Sequence, residues 1–270
     1  MALVFQTIGT GPNIVFSHGT PTYSGEYLPI VQELKNEYCS VLIDHLGFGH
    51  SPKPVDADYS IAAHQKRFSE TLLAHGMTSF HLVVHDFGGV IALPLLKDSR
   101  FKILSLTIMN SWYWPLVETE PQMKQQQFLV KSGLFPLLYR YLNFSPKVLY
   151  KMGWGKSAPF PRDRHQHYMN LFPTSSDRSG TIGFLRALFD FSNNCWSKSS
   201  DLSELNVPVQ LVWGMEDKLI SPRNLERWKE ILTSSKEIRL ENVGHFIADE
   251  APVELTNLLR DFLSQVTKDK

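Results

Sequence analysis

Three side chains stand where they could do chemistry together. Asp86 lies in "LVVHDFGGVIALPLL", between a buried apolar run and the start of an apolar helix. Burying an unpaired carboxylate is costly, so Asp86 has either a partner or a reaction to perform. Asp217 follows the apolar run of "LVWGMEDKLISP", and His245 follows the next run, in "LENVGHFIADEAP". A nucleophile, an acid and a histidine thus occur in that order, each just past a predicted strand. Taken singly, each has an ordinary explanation: an N-cap aspartate, an acidic loop, a structural histidine. Together they suit attack by one carboxylate, with the histidine as base and the second carboxylate orienting it. Glu216 adjoins Asp217, and spacing alone does not choose between them.

Such a set needs strands ending at one edge of a sheet. "ALVFQTIG", "NIVFSHG", "SVLIDHLGFG", "FHLVVHD" and "FKILSLTIMN" read as strands, separated by helical stretches at "YLPIVQELKNEY", residues 60–75 and "FGGVIALPLLKD". Pro94 is expected to bend the last of these or mark its first turns. Strands alternating with helices predict a mostly parallel sheet covered on both faces. Gly88 and Gly89 let the helix after Asp86 pack close to its strand, and that helix turns N–H groups and a positive dipole end toward the carboxylate. Residues 113–200 break the rhythm. They contain aromatics, prolines and short helical patterns ("MKQQQFLVKSGLFPLLYRYL", "SPKVLYKM", "PRDRHQHYMNLF", "SGTIGFLRALFDF") but no convincing strand. "VPVQLVWG", "SPRNLERWKEIL", "KEIRLENVG" and "PVELTNLLRDFLSQV" then restore the alternation. The reading is an α/β core, 1–112 with 201–270, carrying a helical insertion over 113–200.

Composition narrows the function. The chain has 270 residues, 43% hydrophobic and 20% charged, with Lys+Arg and Asp+Glu equal at 27 each. That balance points to no nucleic acid or acidic partner. No run reaches a membrane span, and "MALVFQTIGTGP" lacks the pattern of a signal peptide. Cys39 and Cys195 are the two cysteines, and a reducing cytoplasm is the simpler setting for them. Neither "GTGP" nor "GFGHS" has a dinucleotide fingerprint. In "RDRHQHYM", Asp163 and His167 share a helical face while His165 points elsewhere, too few ligands for zinc. The expectation is a cytoplasmic monomer or homodimer with no cofactor, metal, nucleic acid or membrane partner.

The chain resembles the α/β-hydrolase superfamily over nearly its full length, and most of all its aspartate-nucleophile branch, the haloalkane dehalogenases and epoxide hydrolases. The residues that carry this are "HGTP" (18–21), "DHLGFGHS" (44–51), "VVHDFGG" (83–89), "MNSWYWP" (109–115), "WGMEDKLIS" (213–221) and "VGHFIADEAP" (243–252). The resemblance implies an α/β-hydrolase fold with a helical cap at 113–200. Some relatives place the acid beyond the strand after the elbow helix. That position here is Asn110, which leaves Asp217 as the acid.

An aspartate nucleophile limits the chemistry. A carboxylate is anionic near neutral pH without a base. Its attack on an ester carbonyl gives an anhydride and gains little, whereas attack on an sp³ carbon bearing a leaving group gives a stable alkyl ester. His245 would then activate water, and backbone N–H groups of Phe87 and Thr20 would receive the oxyanion. His18 reads as loop support, and "DHLGFGHS" as the pocket floor. Two departures blur the leaving group. Dehalogenases typically have tryptophan after the nucleophile and often asparagine in "HG-N-P"; here these are Phe87, which has no donor, and Thr20. Trp112 or Trp114 would have to substitute. Epoxide hydrolases protonate the ring with cap tyrosines, and the candidates are Tyr113, Tyr139, Tyr141, Tyr150 and Tyr168. Trp114, Tyr113 and Tyr168 are the expected cap residues in the pocket. The substrate is expected to be small and apolar. Haloalkane dehalogenase-like hydrolysis leads. Epoxide hydrolysis, opening of a strained lactone, a ligand receptor and a cofactor-free oxygenase are the alternatives.

Overall fold

The computed structural model describes residues 1–190 and 202–268. Seven strands form one sheet: β1 (Phe5–Ile8), β2 (Asn13–Ser17), β3 (Cys39–Ile43), β4 (Ser79–His85), β5 (Lys102–Met109), β6 (Val209–Gly214) and β7 (Lys236–Leu240). Their order is β1-β3-β2-β4-β5-β6-β7. β1 runs antiparallel to β3, and every other pair is parallel. The continuous apolar runs are explained by burial on both faces. Alternate residues divide between two cores: Val15, Leu82, Val84, Ile108 and Leu211 pack on one side, and Ile14, Phe16, Val83, Met109 and Val212 on the other. The period of two in side-chain direction thus fixes the register of the whole sheet.

Helices cover both faces. α1 (Leu28–Leu34) and the C-terminal α11 (Pro252–Lys268) lie over one, through Ile30, Val31, Leu255 and Leu259. α2 (Ile61–Ala74) and α3 (Phe87–Ala92) lie over the other, through Phe68, Leu72 and Val90. The Ser60 hydroxyl caps α2 by accepting the Ala63 N–H. Pro94 does mark a change: α3 stops at Ala92 and the chain continues as a 3₁₀ helix over Leu93–Lys97.

Among the described residues, the chain between β5 and β6 is wholly helical or irregular. It contains α4 (Met123–Lys131), α5 (Leu134–Leu142), α6 (Tyr150–Gly153), α7 (Arg162–Asn170) and α8 (Ser179–Leu188). Gly133, at φ 85°, splits "MKQQQFLVKSGLFPLLYRYL" into α4 and α5. Residues 191–200 of the expected insertion, Cys195 among them, and residue 201 of the expected core lie outside the described residues. After β6 come α9 (Arg223–Ile231) and, directly behind His245, the four-residue α10 (Ile247–Glu250). No helix among the described residues is long and apolar enough to cross a membrane.

Candidate active site

Parallel strands with aligned registers end together, so the loops at their ends converge. β2 leads into His18–Thr20, β4 into Asp86, β5 into Asn110, β6 into the Asp217 loop and β7 into the His245 loop. Asp86 sits at φ 51°, ψ −128°, a strained conformation of the sort kept only where surroundings enforce it. The Ser111 hydroxyl donates to the Asp86 carbonyl at 2.6 Å. A Cβ on Gly88 would lie 2.0 Å from the Ser17 carbonyl oxygen, and one on Gly19 2.3 Å from the Asp86 Cβ. Both glycines are therefore required by close approach of backbone to the elbow.

The Asp86 carboxylate is divided between two partners. Oδ1 accepts the Thr20 N–H at 2.9 Å, and Oδ2 lies 3.3 Å from His245 Nε2. On the other side of the ring, Nδ1 is 2.7 Å from Asp217 Oδ2. Asp217 is itself fixed: Oδ1 accepts the N–H groups of Leu219 and Ile220 at 2.7 and 2.9 Å. Glu216 turns outward instead, to Lys156 at 2.7 Å. The geometry thus places Asp217 rather than Glu216 against the ring. Burial alone would lower the basicity of His245, but Asp217 and Asp86, one at each ring nitrogen, raise its pKa to about 10.

Sequence reasoning sets Asn110 aside because it is not a carboxylate, and so misses its use. It is fully buried. Its Nδ2 donates to Asp217 Oδ2 at 2.5 Å, while its Oδ1 accepts the Gly214 N–H at 2.9 Å. Asn110 therefore clamps the acid to the end of β6. The His245 loop is clamped as well. The Glu250 carboxylate accepts N–H groups of Gly244 and Gly155 at 2.9 and 2.8 Å, and the His245 N–H donates to the Gly153 carbonyl at 2.7 Å. The signal for Glu250 is present in "HFIADEAP", but spacing does not reveal a carboxylate that folds back on its own loop.

A cavity of about 280 Å³ opens above Asp86. Thr20, Phe87 and Trp112 line it together with Asp86. The Thr20 hydroxyl is buried with no hydrogen-bond partner among the described residues. Phe87 stacks on Phe184 at 4.3 Å and meets Trp112 edge-on at 5.0 Å. Apolar side chains of the helices between β5 and β6 supply the rest of the wall, including Met123, Phe135, Phe144, Leu149 and Leu185.

The expected cap residues are elsewhere. Trp114 packs on Trp228 at 4.9 Å, and its indole N–H donates to Asn224 at 3.2 Å. Tyr113 is buried in the core. The hydroxyls of Tyr168 and Tyr150 both donate to Asp249 Oδ2 at 2.8 Å, and Arg164 pairs with the other oxygen. None of the three expected residues lines the cavity: Trp114 and Tyr168 are held by partners distant in sequence, and Tyr113 is packed in the core. The tyrosine that does is Tyr139, buried on α5, where burial and the nearby Asp86 charge hold its hydroxyl protonated. The loop "DHLGFGHS" is not the cavity floor either. Asp44 accepts the Ser24 hydroxyl and the His50 N–H, and Phe48 packs under Phe184 at 4.7 Å. His18 is loop support, its Nε2 accepting the His45 N–H at 3.0 Å. His165 and His167 aim at different partners, the Pro146 carbonyl and the Tyr23 hydroxyl.

The raised His245 pKa has a consequence for stability. An ordinary histidine titrates near 6.5, so the protonated ring binds its proton more tightly in the fold than in the unfolded chain. Its stabilising contribution is complete below about pH 6.5 and is lost as pH rises through about 10. Denaturant midpoints measured from pH 6.5 to 10 should fall more for the wild type than for His245→Phe; parallel curves would contradict the doubly paired histidine.

Comparison with known proteins agrees with the fold. The profile of the alpha/beta hydrolase fold matches residues 12–252. The cis-3-alkyl-4-alkyloxetan-2-one decarboxylase of Shewanella oneidensis is 24% identical over 266 residues, covering 95% of this chain and 83% of that protein. Haloalkane dehalogenase 2 of Mycobacterium bovis is 25% identical over 252 residues, covering 90% and 85%. The structure of haloalkane dehalogenase DbeA from Bradyrhizobium elkani has a TM-score of 0.87 at 18% identity, covering 99% of this chain and 96% of that one. This chain belongs to the α/β-hydrolase fold family, and it is a hydrolytic enzyme of that fold, similar to the haloalkane dehalogenases.

Proposed function

We propose that this hydrolase acts on an sp³ carbon bearing a leaving group, with Asp86 as nucleophile, in the manner of a haloalkane dehalogenase acting on a small apolar substrate. The observation that carries this is the divided carboxylate of Asp86. Oδ1 is held by the Thr20 N–H, Oδ2 lies against His245 at 3.3 Å, and Asp86 lines the cavity. Oδ2 attacks the carbon, the bond to the leaving group breaks, and the leaving group departs with its electron pair. The product of this step is a neutral alkyl ester.

Ester formation also prepares the second step. It removes the Asp86 charge, one of the two that hold the proton on His245, and so makes the neutral ring easier to reach. Neutral His245 takes a proton from water, and the hydroxide oxygen adds to the Asp86 carboxyl carbon. The oxyanion forms on Oδ1, where the Thr20 N–H already points. Asp217 steadies the imidazolium. Collapse releases the alcohol and restores Asp86, which now carries an oxygen from water. A single turnover in ¹⁸O-labelled water tests this directly. The label is expected in Asp86 and not in the product alcohol; label in the alcohol would mean that water attacks the substrate without an ester.

A second reading has its own observation. Tyr139 lines the cavity and its hydroxyl is within reach of the Asp86 charge, and Phe87 offers no halide donor. This suits a leaving oxygen that stays tethered to the substrate, as in an epoxide or a strained lactone. The named substrate ring of the Shewanella relative is such a lactone. Proton donation in the transition state contributes roughly 10²–10⁴-fold. Tyr139→Phe is therefore expected to lower the rate of ring opening by that order and leave halide displacement nearly unchanged. Equal effects on both substrate types would remove Tyr139 as a proton donor. The described helices between β5 and β6, in this reading, form the apolar roof that keeps bulk water from the ester.

A further inference from the structure

Between Glu120 and Asp163 the chain has no acidic residue and seven Lys or Arg. The whole chain is formally neutral, so this stretch is a local excess of positive charge. Lys124, Lys131, Lys147 and Lys151 are all exposed, and none has an ion-pair partner among the described residues. The same stretch also exposes apolar surface. Of the ten large hydrophobic side chains exposed among the described residues, six are Phe128, Leu134, Leu137, Tyr141, Leu142 and Met152.

These residues form stripes rather than a scatter. On α5, Leu134, Leu137, Tyr141 and Leu142 stand at i, i+3, i+7 and i+8, which is one face of a helix. On α4, Lys124, Phe128 and Lys131 stand at i, i+4 and i+7, placing an aromatic ring between two ammonium groups. The opposite face of α5 presents Phe135 and Tyr139 to the cavity, and Met152 both lines the cavity and is exposed. The outer surface is thus continuous with the wall of the substrate cavity.

We infer that the α4–α5 face docks this enzyme peripherally on an anionic lipid bilayer, with the cavity opening toward the acyl region. Exposed apolar side chains in a contiguous group mark a binding surface. Their combination with unpaired lysines matches the two attractions that hold amphipathic helices at a lipid interface, apolar insertion and charge. A second copy of this chain is a poor occupant, because two basic faces would repel each other. A bilayer also concentrates the apolar molecules that a cavity of this lining accepts. The inference goes beyond the chemistry of Asp86 and is tested without turnover.

The test is flotation of the full-length protein with vesicles of phosphatidylcholine, with and without phosphatidylglycerol. Wild type is expected to float with the anionic vesicles and not with the neutral ones, and to be released by high salt. Each lysine near a bilayer contributes about 1 kcal/mol, so Lys124→Gln with Lys131→Gln should weaken partitioning about 30-fold. Leu137→Asp with Tyr141→Asp should abolish it. Both double variants are expected to keep the wild-type thermal melt, which shows that they fold. Failure of the wild type to float, or equal flotation with neutral vesicles, would overturn the inference. So would a stable dimer of wild type that the same substitutions dissolve.

Discussion

Asp86→Ala is expected to lower turnover by at least about 10⁴-fold while leaving the fold in place. The size of the loss comes from the two-step scheme. Without the carboxylate no covalent intermediate forms, and water bound near His245 would have to attack an sp³ carbon directly. The remaining Thr20 N–H would then have no developing oxyanion to stabilise. The small cost in stability comes from the contacts. The Asp86 carboxylate has two partners, the Thr20 N–H and His245. Losing a hydrogen bond to a charged group costs about 1.5–3 kcal/mol, and Thr20 adjoins a cavity from which water can replace it. The φ of 51° at residue 86 remains unfavourable for alanine, so the backbone strain is not relieved. Steady-state rates and a thermal melt check both halves. Turnover retained within tenfold would remove Asp86 as nucleophile.

His245→Phe is expected to separate the two steps. Oδ2 of Asp86 needs no proton removed before it attacks, so alkylation proceeds without the imidazole. Hydrolysis of the ester does need it, because among the described residues no other base is paired to Asp217. The variant should therefore release one equivalent of leaving group per enzyme and then stop. Steady-state turnover should fall about 10³-fold or more. The burst is measured by rapid quench against an excess of substrate. A burst well below one equivalent, with the variant folded, would mean that the ring takes part in the first step.

Some of this site is legible in the sequence because strand ends are legible. Asp86, Asp217 and His245 each follow an apolar run bounded by turn residues, and parallel strands bring such ends together. The same logic identifies Thr20 and Phe87, which adjoin two of those ends. Asn110 stands at a strand end too, but chain order says only that no carboxylate is there; that its amide grips Asp217 depends on the β5–β6 pairing. The helices between β5 and β6 are harder. Their periodicity gives a helix, not which face meets the sheet. Tyr139 and Tyr168 have equivalent claims as aromatic residues of that span. One lines the cavity, and the other is held by Asp249, 81 residues later. Trp114 likewise depends on Asn224, 110 residues away. Partners that far off leave no local pattern, and that is why the elbow can be read from the chain while the pocket wall cannot.

The measurement that bears most directly on the central claim is intact-protein mass spectrometry of His245→Phe after separate incubation with a 1-bromoalkane, an aryl epoxide and a β-lactone. A mass gain equal to the substrate-derived group is expected with at least one of them, located by peptide mapping on the segment that contains Asp86, with no gain in Asp86→Ala/His245→Phe. A folded His245→Phe protein that gains no mass from a substrate the wild type consumes would contradict the claim.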